Sequence, residues 1–294
     1  MLYISQLARD RGIKVLLSGA GGDDLFSGYR RHLAVHYEHY WHWLPQGLRA
    51  ALARAAARLD QRAPVLRKLA KVLNGADLAG DERLVDYFFW ARESELLTLY
   101  SPEFRARLGE KTAAAPMLEF IAPLPSDLAP LERMLALEQR FFLADHNLTY
   151  TDKMSMAVGV EVRVPFLDLD LVEHAARVPV GFKQRGRVGK WVLKKAMGPT
   201  LPHDVIYRPK SSFGAPLRRW MRGELRPLLH DLLSVESLKR RGLFNPGVVQ
   251  RLMQANDAGR VDAAYTLLSL LGIEIWCRAY IDSPPGLSQG ETNQ

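Results

Sequence analysis

The sequence predicts an α/β fold dominated by helices, with very few strands. Three observations predict it. A short apolar run, Ile13 to Leu17, ends in a Gly-rich turn and reads as a buried strand; an amphipathic helix from Leu2 to Arg11 precedes it. The strand runs into Ser18-Gly19-Ala20-Gly21-Gly22-Asp23-Asp24-Leu25-Phe26-Ser27-Gly28-Tyr29, whose glycines let backbone N–H groups approach a ligand closely. Downstream, apolar residues recur at helical spacing and no convincing partner strand follows. In an open parallel sheet, ligands bind at the carboxyl ends of strands, where this loop falls. A tight strand–helix turn capped by Asp23 accounts for the loop equally well.

The elements follow in order. Asp23 to about Tyr40 continues as a helix, with His36, His39 and His42 three apart. That spacing is compatible with a metal site, but the interleaved aromatics favour a half-buried aromatic helix. Gln46 to Asp60 and Ala63 to Leu73 are helical up to a stop at Asn74-Gly75. Asp81 to Tyr100 is a further helical region, and Ser101-Pro102 starts a short helix through Leu108. Four prolines make Pro116 to Pro130 a loop around a possible helical turn. Leu131 to Leu148 is a long helix leading to the alternating segment Val160 to Val164, which reads as extended. Lys183 to Lys190 is a basic, glycine-broken loop before a helix from Lys190 to Met197, a good setting for an anion. A second basic loop runs from Arg208 to Pro216, and a strongly apolar helix from Val261 to Ile281 closes the core. Residues 1–283 form one partial domain, and 284–294 a polar, disordered tail.

A chain of 294 residues holds one large or two small domains, and 48% hydrophobic with 24% charged residues is ordinary for a globular protein. The single cysteine, Cys277, excludes a disulfide framework and sits in the last apolar helix as a core residue. The start lacks a signal-peptide pattern, and Leu267 to Ile273 is too short to span a bilayer, so a cytoplasmic protein with no membrane partner is expected. Arg177 to Arg222 carries twelve Lys/Arg against one acid, Asp204, exceeding the whole-chain net charge of +8. Such a segment fits a polyanionic partner, nucleic acid or nucleotide phosphates, or else a solvated basic face. No recognition helix, zinc knuckle or stacking platform supports nucleic acid.

Three blocks now coincide: the Ser18 to Tyr29 loop; Asp152-Lys-Met-Ser-Met-Ala…Glu161-Val-Arg163-Val-Pro-Phe-Leu-Asp168; and Lys190-Trp-Val-Leu-Lys194…Leu201-Pro202…Arg208-Pro-Lys210-x-x-Phe213-x-x-Pro216. In this order and spacing they resemble the C-terminal, ATP-pyrophosphatase-type synthetase domain of the glutamine-hydrolysing asparagine synthase family. The resemblance covers roughly Leu2 to Ile281. It implies an α/β fold of the adenine nucleotide alpha-hydrolase type, with a parallel sheet. It also implies ATP and Mg²⁺, adenylation of an aspartate carboxylate, and displacement of AMP by ammonia from a glutaminase domain. By carry-over, Ser18, Gly19, Gly21, Gly22, Arg208 and Lys210 contact ATP. Asp23 acts near pyrophosphate and its Mg²⁺, and Lys190 stabilises charge during adenylation.

The departures are specific. The family's Ser-Gly-Gly-x-Asp-Ser pyrophosphate loop is absent from this sequence, as is an N-terminal nucleophilic cysteine. Some members carry a Glu or other polar residue, with a role in forming the intermediate, where Ala20 stands, though members with an apolar residue there also belong, and Asp24 replaces the commoner Glu. The resemblance therefore implies an N-terminally truncated copy that does not make asparagine from glutamine by itself. Its remnant sheet is expected to expose an edge, favouring association, a homodimer being one form. Two further readings are a non-catalytic or split-subunit paralogue, and a family amidotransferase acting on a carboxylate other than aspartate.

Overall fold

Short helices make up most of the computed structural model, which describes residues 1–57, 66, 73, 75–209 and 215–282. The chain divides into two units. One comprises Met1–Ala53, Gly75–Phe88 and Ala114–Lys210, the other Arg54–Asn74, Phe89–Ala113 and Ser211–Gln294. The expected helix over Ala63 to Leu73 lies almost wholly outside the described residues, and Lys210 and the tail 284–294 lie wholly outside them.

In the first unit, the helix Leu2–Asp10 packs its small residues Ser5 and Ala8 inward, against the helix Thr149–Met156. Strand β1, Val15–Leu17, pairs in parallel with β2, Glu161–Arg163, in the register Val15↔Glu161 and Leu17↔Arg163. Two expectations are corrected here. The alternating segment after Gly159 is a downstream sheet partner, and β1 is not buried, since Leu17 is 74% exposed. A lone parallel pair covers neither face of the strand, whatever its hydropathy.

The chain after the Gly-rich loop makes one turn of helix, Gly22–Phe26, and stops at Ser27, whose φ of 67° is left-handed. The continuous helix expected from Asp23 to Tyr40 is therefore broken, and Arg30–Tyr37 is a separate helix. The long helix is longer than its periodicity suggests. It starts at Pro130, where the fixed φ of proline suits the first helical position, and the Glu132 side chain accepts from the Ala129 N–H at 2.8 Å. It turns π-helical over Glu138–Leu148 and continues as the helix Thr149–Met156. Met134, Leu135, Leu137 and Leu143 fill the interior. Beyond β2, Asp168 caps the helix Leu169–Arg177 by accepting from the Asp170 N–H. The hairpin of β3, Gln184–Arg185, and β4, Val188–Gly189, then feeds the helix Trp191–Ala196.

The described part of the second unit is mainly helical, with an antiparallel bridge between Tyr100 and Phe244. The region expected as helix from Asp81 to Tyr100 is split, and its latter half, Glu93–Leu99, belongs here. Leu229, Leu233, Val249, Met253 and Leu267 form a core with Leu99 and Phe244. The helix Ala264–Trp276 closes it, and Cys277 is buried as a free thiol, as its apolar setting predicts. Glu274 is buried on that helix and accepts from Arg241, Arg278 and Ser237, so its charge is matched. Among the described residues, no helix is long and apolar enough to cross a membrane.

Neighbouring residues on the closing helix make a direct test of this packing. Leu267 is fully buried and Leu268 is 40% exposed. Leu267→Ala is expected to cost about 2–5 kcal/mol in urea unfolding and Leu268→Ala well under about 1 kcal/mol.

Candidate functional site

The Gly-rich loop is anchored by the sheet and shaped by packing. The Ser18 N–H donates to the Arg163 carbonyl at 2.8 Å, so β2 fixes where the loop begins. Ser18 Oγ accepts from the Ala20 N–H at 3.2 Å, and the Gly22 N–H donates to the Gly19 carbonyl. Gly21, not Asp23, caps the helix Gly22–Phe26; its φ is 89°, and a Cβ there would run into the Leu167 side chain. Gly21 and Gly22 are thus buried against Phe166 and Leu167. Ser18, Gly19 and Ala20 stay accessible, with open space beside Gly19.

The third sequence block meets this loop through backbone strain and charge. Lys190 Nζ lies 2.8 Å from Asp23 Oδ1, and the Lys190 N–H donates to the Phe26 carbonyl at 2.9 Å. Lys190 and Ser27 are the two non-glycine residues with positive φ among the described residues, and they flank one contact. Gly189 passes so close to the Ser27 carbonyl that a Cβ would collide with it. Ser27 Oγ donates to Gln184 Oε1 at 3.0 Å, and Gln184 Nε2 donates to the Gly186 carbonyl. Beneath, Leu25 and Phe26 pack with Phe166, Leu171, Val192 and Leu193. Lys194 follows Lys190 by one helical turn. Burial, and then the Lys190 charge, hold its ammonium below the usual lysine range.

Behind Asp23 lies a polar cluster that motif reading missed. Glu138 is fully buried, and its carboxylate accepts from Arg31 Nε and from Arg31 Nη2 at 2.6 Å. His32 Nε2 lies 2.8 Å from Glu138 Oε1, while His32 Nδ1 accepts from the Tyr29 N–H, so Nε2 is the donor. Burial alone would raise the Glu138 pKa, but the bonds from Arg31 and His32 hold it below the usual carboxylate range. Burial keeps His32 below the usual imidazole value. Arg31 is enclosed by the rings of Phe142, Phe88 and Tyr29, at 4.2, 4.7 and 4.8 Å. Asp24, 1% exposed, accepts from Tyr29 Oη at 3.3 Å. Its Oδ1 is buried with no hydrogen-bond partner among the described residues. Burial, and then repulsion from Glu138, push its pKa up to about 6. Asn147 donates to Tyr29 Oη and completes the chain. One signal was readable: Glu138 lies four residues after Met134, on the apolar face of its helix.

The remaining expected residues are placed apart. Arg208 is exposed after the helix His203–Ile206, and Lys210 lies outside the described residues. His36 ends the helix Arg30–Tyr37, and His39 donates from Nδ1 to the His36 carbonyl. Among the described residues, no group of three or more His, Cys, Asp or Glu is arranged to hold a metal ion.

Comparisons with known proteins agree on one family. The family model described as asparagine synthase matches residues 1–278. A Mycobacterium tuberculosis protein provisionally named asparagine synthetase (glutamine-hydrolyzing) is 28% identical over 96% of this chain and 42% of its own length. Asparagine synthetase (glutamine-hydrolyzing) 1 of Bacillus subtilis is 24% identical over 94% of this chain and 42% of its own. Amidase chyE of Penicillium rubens is 23% identical over 86% and 40%. The chain thus spans about two-fifths of the length of these relatives. No solved structure matches it.

Two outcomes follow from the buried cluster. Glu138→Ala leaves the half-buried Arg31 guanidinium and the fully buried His32 without their acceptor, and a loss of about 3 kcal/mol is expected in chemical unfolding. Asp24 has the opposite sign. Its folded pKa lies above the unfolded value of 3.8, so the folded state holds its proton longer. Stability on its account is undiminished below pH 3.8, falls as pH rises towards about 6, and stays reduced above. Asp24→Asn is therefore expected to raise Tm by roughly 5 °C at neutral pH and by nothing at pH 3.5, since about 2 kcal/mol is released in a chain of this size.

Proposed function

This chain belongs to the asparagine synthase family, and from that premise we propose that it carries the synthetase site of an ATP-dependent amidoligase. The observation that carries the proposal is the ion pair of Lys190 with Asp23, held where the Gly-rich loop meets the basic third block. In the proposed reaction, a carboxylate oxygen bonds to the α-phosphorus of ATP and the bond to pyrophosphate breaks. Ammonia then bonds to the acyl carbon, AMP leaves with the carbon–oxygen electron pair, and a proton is released. Aspartate is the proposed carboxylate and asparagine the product. The glutaminase supplying the ammonia is not among these 294 residues, whose single cysteine is buried.

The residues present fit these groups. Ser18 and Gly19 offer the accessible face of the loop, with room beside Gly19 for a ligand to approach the backbone. Lys190 and Lys194 offer two cations to phosphate oxygens, and the partial burial of Lys194 strengthens its interaction with an anion. Gly21 and Gly22 act by letting the loop pack tightly on Phe166 and Leu167. Arg208 and Lys210 are proposed to reach the phosphates from the second basic loop. Asp23 is one carboxylate, which suits Mg²⁺ held chiefly by substrate phosphates; when bound, that ion neutralises charge on the leaving group. The adenine nucleotide alpha-hydrolase fold, a single partial domain over residues 1–283 and a cytoplasmic setting belong to the same proposal.

A second reading is favoured by Ala20, which brings no acid–base group to the loop: an amidoligase acting on another carboxylate. Calorimetry with ATP and Mg²⁺ tests the shared part. The chain is expected to bind, and Lys190→Met to weaken binding about tenfold or more through loss of a charge-assisted contact. No binding by the parent chain, or equal binding by the variant, overturns it. Pyrophosphate exchange dependent on aspartate, against exchange with other carboxylates, separates the two readings.

A further inference from the structure

A cavity of about 610 Å³ opens in the first unit, and neither the Gly-rich loop nor Lys190 lines it. Its walls come from the end of the helix Arg30–Tyr37, the start of the helix Gln46–Ala57, residues 78–84, the start of the helix Pro130–Leu137, and Val180 to Gln184. They are mainly apolar, with Val35, Leu78, Leu84, Leu131 and Val180 among them. This is the size and character of a small-molecule site.

Three arginines line the cavity, and two are already matched. Arg83 donates to Glu38 at 2.7 Å and to Asp86 at 3.0 Å, and Arg133 makes a forked pair with Asp81 at 2.8 and 2.6 Å. Arg49 differs. Its Nη1 donates to the Leu78 carbonyl at 3.1 Å, and its Nε is buried with no hydrogen-bond partner among the described residues. Among the described residues no carboxylate pairs with it. A guanidinium set in a largely apolar wall without a carboxylate beside it is costly, and an incoming anion relieves the cost.

We infer that this cavity binds a monocarboxylate with an apolar body, its carboxylate accepting from Arg49 and its body lying on the Val35, Leu131 and Val180 walls. One surplus cation matches one negative charge. A dianion would also face Glu38 and Asp81, the carboxylates that line the same cavity. The apolar walls exclude a ligand that is charged throughout, such as a nucleotide triphosphate tail. The site is separate from the one proposed for ATP, and it stands or falls independently of that reading.

The test is calorimetric titration of the full chain with hydrocinnamate and, in parallel, with hydrocinnamyl alcohol, which has the same body and no charge. Hydrocinnamate is expected to bind saturably at one site, and the alcohol about tenfold or more weaker, the scale of one charge-assisted hydrogen bond. Arg49→Met is expected to bring the acid down to the affinity of the alcohol. Val180→Phe, which fills the cavity, is expected to abolish binding of both. No saturable binding of the acid, equal binding of acid and alcohol, or undiminished binding of the acid by either folded variant overturns the inference. The acid–alcohol comparison uses the parent chain, so it decides the matter even where a variant fails to fold.

Discussion

Glu138 is a carboxylate with no access to water, and much of the first unit is arranged around keeping it ionised. Two donors come from Arg31 and one from His32, adjacent residues on one short helix, so that helix can sit in only one rotation about its axis. The half-buried Arg31 guanidinium is held in turn by the rings of Phe142, Phe88 and Tyr29 around it. Tyr29 is thereby fixed, and its hydroxyl in turn sets the position of Asp24. A buried ion pair gives little net stability, but it penalises every arrangement in which one partner is lost. The cluster therefore acts mainly by specifying geometry, from the π-helical segment at Glu138 to the acid beside Asp23.

The same geometry explains why two side chains tolerate left-handed backbone. Ser27 must turn the chain out of the helix Gly22–Phe26 so that Tyr29 can reach the Glu138 cluster. Lys190 must turn the hairpin into the helix Trp191–Ala196 while its N–H reaches the Phe26 carbonyl. Each conformation costs of the order of 1 kcal/mol, and each persists because hydrogen bonds on both sides over-determine it. The result is that the Lys190 ammonium and the Asp23 carboxylate, 167 positions apart in sequence, meet at 2.8 Å on a backbone with little freedom to separate them.

What the sequence made legible was local. The Gly-rich loop, the proline-led helix at Pro102, the Asp168 region and the core position of Cys277 carry their own signals, because turn chemistry and helical periodicity act over a few residues. The pairing of Val15–Leu17 with Glu161–Arg163 was not legible, since an alternating charged segment reads equally as a solvated edge. Nor was the break at Ser27, because a serine carries no prior for a left-handed conformation that tertiary contacts impose. The union of Asp24, Tyr29 and Arg31 with Glu138 escaped motif reading for a related reason. The first three share one stretch of sequence, Glu138 lies 107 positions after Arg31, and only a charged residue on the apolar face at Glu138 marked the link.

The proposed site is held less by its sheet than the fold class suggests. Parallel strands ordinarily draw their stability from cover on both faces. Here Val15 is 42% and Leu17 74% exposed, and the partner strand turns Glu161 and Arg163 outward, where they pair with each other at 3.0 Å. What the ladder contributes is the single bond from Ser18 to Arg163, which sets the start of the loop. Everything after that point is placed by other means. Leu167 sits where a side chain at Gly21 would go, and Leu25 and Phe26 join Val192 and Leu193 in one apolar cluster. The Gly189 backbone closes on Ser27. Since apolar contact and close backbone approach are short-ranged, the loop and the lysine helix are coupled to each other more tightly than either is to β1. The chemistry that two lysines and an aspartate can do on a phosphate therefore depends on that interface, and the strand serves to deliver the chain to it.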